Sequence, residues 1–314
     1  MTYNAANQLL TFNTETRQYN NLNHMTRLTI TGSQPLDVSY NFPAGTNNGK
    51  ISSQLDNLSG ETVTYQYDSL NRLLSASSTQ SWGESYAFDG FGNLLSKTPT
   101  GGAPTLSQSV NPMNNQIVGQ TYDANGNQLS GPLGTVTYDA ENRIASMSSG
   151  GVQYSYDSRN KRVWSSTLSG GNLSQVFYYY GVDGQKLAIY PMGLALINNV
   201  TPLMTDNTNI KLSQFFGSKR IGTYDRLGTA KYDQQNSAPM LFYPYGEDRG
   251  TVQPNDSLKF ATYTRDAATG LDYADQRYYA NNFGRFMSPD RHGPRSGKRP
   301  LRWNRYTYVL AARV

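Results

Sequence analysis

The chain has 314 residues, 37% of them hydrophobic, 12% aromatic and 16% charged, with 24 Tyr, 29 Gly and no Cys. That length holds one large domain or two ordinary ones, the aromatic content excludes a disordered polymer, and the lack of cysteine excludes disulfides and thiolate metal sites. The formal charge of +5 is local: residues 291–314 hold seven of the 27 basic residues and no acid, leaving 20 basic against 22 acidic residues, a net −2, in residues 1–290.

Tyr and Thr favour strands while Gly and Asn favour turns, so the composition predicts an all-β chain with little helix. The opening residues, MTYNAANQLLTF, enter in mid-repeat, as a cut edge would. No signal peptide opens the chain and no apolar run approaches a membrane span. From there one phrase recurs: Tyr3-Asn4, Tyr19-Asn20, Tyr40-Asn41, Tyr67-Asp68, Phe88-Asp89, a degenerate Val110-Asn111, Tyr122-Asp123, Tyr138-Asp139, Tyr156-Asp157 and Tyr180-Gly181. The spacing is irregular around a fixed phrase, which means that hairpin cores are kept while connections vary.

Each phrase reads as strand, turn, strand. Apolar residues alternate ahead of the Asp (Val63, Tyr65, Tyr67; Val136, Tyr138; Val152, Tyr154, Tyr156), with Thr62, Thr64 and Gln66 on the other face, the period of a half-buried strand. Asp68, Asp89, Asp123, Asp139 and Asp157 can each accept backbone amides and start a turn. Three positions later stand Asn71, Gly92, Gly126, Asn142 and Asn160, residue types that tolerate a left-handed backbone. Repetition argues against catalysis by these Asp and Tyr residues, since an active site is needed once. The Tyr residues are expected to pack in the core, with Tyr67, Tyr138 and Tyr156 mostly buried; an exposed row of them would instead suit carbohydrate.

Residues 1–189 are therefore read as a repeat array and 190–210, which lack the phrase, as an insertion or linker. Residues 211–290 are read as a separate core unit and 291–314 as a basic, disordered tail, broken by Gly293, Pro294, Gly297 and Pro300. A short helix is expected near 225–228 or 263–268.

The phrase Y-D-x-x-G/N-N/R-L resembles the YD repeat of RHS (rearrangement hot spot) proteins, and residues 211–290 sharpen the likeness. They resemble the RHS repeat-associated core domain through Asp225-Arg226-Leu227-Gly228, Tyr243-Pro244-Tyr245-Gly246, Gly270-Leu271-Asp272-Tyr273, Arg277-Tyr278-Tyr279 and Gly284-Arg285-Phe286. The resemblance implies YD hairpins in a continuous spiralling antiparallel sheet, part of a hollow shell plugged by the core domain and related to toxin-complex shell proteins. It implies as partners the rest of that shell or a C-terminal toxin cargo, and a secreted or cell-surface location. Family shells use more units than the nine or ten here, so a long open strand edge is expected.

The resemblance also implies an aspartyl self-cleaving core marked by two D-P-x-G elements. Here the first reads Asp290-Arg291-His292-Gly293, and the second Asp position falls on Ala312. No carboxylate follows Asp290, so Asp290 is expected to be a degenerate, inactive catalytic residue, although Asp266, Asp272 or Asp275 could approach it. The chain then reads LAARV after Val309, which suggests a truncated frame with no effector encoded. The expected function is a non-catalytic shell scaffold, the alternatives being the self-cleaving core or a carbohydrate-binding surface module.

Other signals are weak. His24 and His292 lie far apart, so neither metal nor cofactor is expected. Residues 293–299 only superficially resemble a phosphate loop. The basic tail could meet phosphate, but nucleic acid is disfavoured as a partner. Glu61, Glu84, Glu141 and Glu247 are too scattered for the sequence to pair any two as glycosidase acids.

Overall fold

Alternating strands separated by turn residues give hairpins, and in the computed structural model each strand of the array pairs antiparallel with its sequence neighbour. The structure describes residues 1–45, 47–130, 134–194, 203–205, 210–216, 219–222, 224–233, 238–250, 256–291 and 303–308. Eleven strands between Thr2–Tyr3 and Leu106–Ser107 form one sheet in sequence order, a pure meander. A second sheet runs from Val136–Tyr138 through Lys186–Leu194. Between them, two turns closed by the isolated pairs Val110–Ile117 and Tyr122–Gln128 interrupt the ladder. Strand pairing is thus interrupted after Ser107, where backbone bonds such as Val118 N to Ser109 O and Leu129 N to Thr121 O, each 2.8 Å, connect turns rather than a ladder.

At both ends of the first sheet the open edge is shorter than expected. The terminal strands of the first sheet, Thr2–Tyr3 and Leu106–Ser107, have two residues each, a length that blunts pairing with other chains.

Strand Lys186–Leu194 runs through position 190 without a break and pairs with Leu203–Thr205 and Lys211–Leu212. The boundary placed at 189/190 falls inside this strand; the rest of the 190–210 segment lies largely outside the described residues. Beyond it come small hairpins and a five-stranded sheet from Ser257–Leu258 to Arg285–Phe286.

No helix forms where one was expected. Residues 225–228 make a turn, and Thr264–Arg265 is a strand paired with Asp272–Ala274. Among the described residues helical turns are limited to Ser149–Gly151 and Phe260–Thr262, three residues each. The left-handed Gly228 and the bond from Asp225 N to Thr229 O close a tight turn at 225–229, and β pairing takes the backbone of 264–265.

The tail also departs from expectation. Within 303–308, Asn304, Tyr306 and Tyr308 are buried, the Tyr308 ring 4.6 Å from that of Tyr279, while Trp303 and Arg305 are exposed. The backbone is tied down as well, Phe286 N and Asp290 N donating to Tyr306 O and Arg305 O at 2.9 and 2.8 Å.

The apolar core joins the two parts of the chain. Val136, Ile144, Met147, Val152 and Tyr154 of the array pack in one cluster with Leu271, Tyr273, Tyr278 and Met287. A second cluster sets Leu73, Tyr86 and Leu94 against Tyr245. By contrast Leu28, Leu36, Val38, Tyr40 and Ile51 pack with each other, within the array.

Candidate functional site

The repeat turns consume their own carboxylates. Asp68 Oδ1 accepts the amides of Leu70 (2.9 Å) and Arg72 (2.7 Å), and Asn71 N donates to Asp68 O. The same pattern recurs at Asp89, Asp123, Asp139 and Asp157. Asn71, Gly92, Gly126, Asn142 and Asn160 all have positive φ, between 57° and 86°, the backbone that closes such a turn with a bulge.

Two further kinds of rung tie several units to a neighbour. The hydroxyls of Tyr19, Tyr138, Tyr156 and Tyr180 donate to the carbonyls of Leu9, Gln128, Ile144 and Arg162, at 2.7 to 3.0 Å. Each acceptor lies five positions past the preceding unit's Asn or Asp. Tyr67, Tyr138 and Tyr156 are mostly buried, as expected, each packed against a core cluster with its hydroxyl donating to a backbone carbonyl. The second rung is cationic. Arg72 Nε pairs with Asp68 at 2.6 Å while its guanidinium lies 4.9 Å from the Phe88 ring; Arg143 does the same with Asp139 and the Tyr156 ring at 4.6 Å. The recurrence of Arg four positions after Asp was the signal for this clamp.

Asp225 belongs to the same grammar. Its Oδ1 accepts Leu227 N and Thr229 N at 2.9 Å, and Gly228 has φ 79°. Residue Arg226 lies over the Tyr40 ring at 5.8 Å, bringing this turn to the first sheet. Tyr243 and Gly246 close an equivalent turn through backbone bonds alone.

Where array meets core, buried charges act as bolts. Arg162 is wholly buried; its Nη1 donates to Asp266 Oδ1 (2.6 Å) and to Tyr278 Oη (3.2 Å). Its Nε and Nη2 find no hydrogen-bond acceptor. Instead the guanidinium is ringed by Tyr178, Tyr273, Tyr154 and Tyr278 at 4.4 to 5.7 Å, whose π faces favour a desolvated cation. Lys97, also fully buried, pairs with Glu247 and donates to Asn281 O at 2.9 Å. Glu84 lies near enough to act on the same lysine, and burial holds its carboxyl above the usual range. Glu84 and Glu247 are therefore brought to one cation, although the sequence could not pair them. Glu61 accepts Trp82 Nε1 (2.7 Å) and pairs with Arg249. Glu141 lies outside these networks and meets Arg291 at 3.2 Å.

The remaining core residues serve the same assembly. Asp272 is buried and binds Arg265 through both oxygens at 2.9 and 2.8 Å; burial raises its pKa while Arg265 opposes the rise. Tyr279 is buried and donates to Tyr245 O (2.9 Å). Arg277 lies 3.7 Å from the Phe286 ring, and Arg285 lies 4.5 Å from that of Tyr306. Gly246 and Gly284 have positive φ, and a Cβ would come within 2.7 Å of Phe260 and Leu94 respectively. Gly270, with φ 69°, closes the turn that carries Leu271.

Asp290 is no part of a carboxyl pair among the described residues. Its side chain is 44% exposed and lies 3.6 Å from Arg277, and its backbone exchanges bonds with Arg305. The acids that could have joined it are engaged elsewhere: Asp266 with Arg162, Asp272 with Arg265, and Asp275 with Lys161 at 2.7 Å. An aspartyl protease needs two carboxyls sharing a proton a few ångströms apart. Residues 293–299, His292 and Ala312 lie outside the described residues; His24 stacks on Phe42 at 4.9 Å.

A model of the teneurin YD-shell family matches residues 1–189. The chain belongs to that family. It is a YD-repeat protein of the RHS type, related to toxin-complex shell proteins. The tRNA3(Ser)-specific nuclease WapA of Bacillus spizizenii and the tRNA nuclease WapA of Bacillus subtilis are each 29% identical to it over 265 residues. Those alignments cover 77% of this chain but 11% of either WapA, so the chain spans about a tenth of these curated relatives. Among solved structures, TcdB2–TccC3 without its hypervariable C-terminal region superposes with a TM-score of 0.72 at 17% identity, over 99% of this chain and 18% of that one. The Photorhabdus luminescens Tc holotoxin pore gives 0.70 at 16%, with the same coverage. At such identity these two establish the shared all-β shell fold.

Proposed function

We propose that these 314 residues are a non-catalytic length of shell wall braced by the core domain, within a secreted or surface-displayed protein. Its partners on this reading are the remainder of its own shell and a cargo carried by that shell. The observation that carries the proposal is where the core's carboxylates go. Asp266, Asp275 and Glu247 are paired with Arg162, Lys161 and Lys97 of the array, while Asp272 is locked to Arg265 inside the core. Where two carboxyls do come near each other, Glu84 and Glu247 at Lys97 and Asp248 and Asp272 at Arg265, each pair shares a cation; an aspartyl pair shares a proton instead, so these acids serve to hold strands together. The nuclease activity named for the WapA proteins is assigned to no residue here.

The test is a folded reporter fused after Val314, with intact mass followed at neutral and mildly acid pH. The fusion is expected to stay whole for days and to behave identically with Asp290→Asn. Cleavage near the junction that vanishes in that variant restores the self-cleaving core instead.

A further inference from the structure

Lys97 lies buried where array meets core. It pairs with Glu247 Oε1, donates to Asn281 O at 2.9 Å and lies 5.2 Å from the Tyr245 ring. The other oxygen of that acid, Glu247 Oε2, is buried with no hydrogen-bond partner. A second acid shares the site. Strands Gly83–Phe88 and Leu94–Thr100 set Lys97 opposite Tyr86 and Pro99 opposite Glu84. Glu84 therefore stands diagonally across from Lys97 on the same face, within reach of a long side chain. Its Oε2 accepts the Tyr86 hydroxyl at 2.6 Å, while its Oε1 is buried with no partner. Two carboxyls thus face one amine in a buried pocket, and one oxygen of each lacks a donor. A buried oxygen without a donor favours the protonated acid over the carboxylate.

We propose that Lys97 and Glu247 condense to an amide, a covalent bond between array and core. The neutral amine Nζ attacks Cδ of the neutral Glu247 acid, a C–N bond replaces a C–O bond, and one carboxyl oxygen leaves as water. Glu84 passes one proton from Nζ to the leaving oxygen and ends as it began, so no oxidant, reductant or cofactor is consumed. Burial pushes the Lys97 ammonium well below the usual lysine range and raises Glu84, which supplies an uncharged amine and a protonated acid. The Asn281 carbonyl and the Tyr245 ring hold Nζ against its target, and such placement replaces concentration. Exclusion of water from the pocket disfavours hydrolysis of the product. The pairs Lys259–Asp248 and Lys161–Asp275 are built differently. Asp248 meets Lys259 with both oxygens, at 3.3 and 3.1 Å, and is also held by Arg265 at 2.8 Å, while Asp275 is largely exposed. The bond forms once per molecule and turns over nothing, which suits a structural wall.

The folded whole chain is transferred to denaturant and its intact mass measured. It is expected to be one water lighter than its sequence, while Lys97→Met keeps its full mass. Trypsin cuts after a free lysine, so Lys97 should stay uncut and residues 73–143 should be released joined to 232–249. Fragmentation of that product is expected to place the bond between Lys97 and Glu247. Glu84→Gln should close roughly a hundredfold more slowly, followed from the start of refolding. Full mass in the folded parent after days at neutral pH overturns the proposal. So does a loss of water that persists in Lys97→Met, or a bond mapped to any acid other than Glu247. A Glu84→Gln chain that closes at the parent's rate overturns the role given to Glu84. The parent's own mass decides the central point, so a variant that does not fold leaves the test standing.

Discussion

Glu61 shows how a single side chain joins segments that the sequence holds far apart. Its carboxylate is nearly buried, and burial alone would raise its pKa. Hydrogen bonds from Arg249, Ser78 and Trp82 outweigh that and hold it at about 2, against an ordinary 4.5. A carboxyl depressed on folding stabilises the native state above its unfolded value, and that contribution is lost as pH falls through the folded one. The urea midpoint of the parent should therefore decline between pH 4.5 and 2 more steeply than that of Glu61→Gln, which should be less stable at pH 7. Equal slopes in the two proteins would show that the ion pair contributes nothing. Arg249 lies 188 positions from Glu61, and Arg162 lies 104 from Asp266. Periodicity reports which face of a strand is buried, but it carries no record of which distant charge will cover it. The bolts were illegible for that reason.

At the scale of the hairpin the sequence was far more informative, because everything a turn needs lies within five residues. The alternation ahead of Asp68 and Asp139, and the all-β class, could be read directly. The misplaced helix came from reading 225–228 and 263–268 without a pairing partner in view. Gly126 and Gly184 offer a controlled comparison within this element. Both sit at the same turn position with φ of 86° and 78°, but a Cβ at Gly126 would come within 2.7 Å of the Tyr306 hydroxyl, while one at Gly184 would meet only Lys161 Cε at 3.6 Å. Gly184→Ala should cost the left-handed backbone penalty, about 1 to 2 kcal/mol. Gly126→Ala should cost more, since it also disturbs the bond from Tyr306 Oη to Gly126 O. Equal losses in chemical denaturation would mean that the tail segment does not press on this turn.

For the whole molecule the question is whether array and core are one folding unit or two. The apolar clusters divide the array unequally. The cluster of Leu28, Val38 and Ile51 contains no residue beyond the array. The cluster of Val136, Ile144, Met147, Val152 and Tyr154 is completed by Leu271, Tyr273, Tyr278, Ala280 and Met287. Arg162 has the same dependence, since without Asp266 it would be a buried cation with no counter-ion, a situation that costs about 3 to 5 kcal/mol. Removing residues 211–314 should therefore leave the two halves of the array in different states. Amides of strands Met25–Ile30 and Leu36–Asn41 should keep their protection in hydrogen exchange, while those of Ile144–Met147 and Val152–Tyr156 should lose most of theirs. The truncated chain should also expose apolar surface and bind a hydrophobic dye, as the intact chain should not. Lys161→Ala in the intact chain is the mild counterpart, because its pair with Asp275 is partly exposed and worth little; it should leave both halves protected. Uniform protection across the truncated array would show that the YD hairpins stand without the core. The core would then be a passenger on the shell wall rather than its brace.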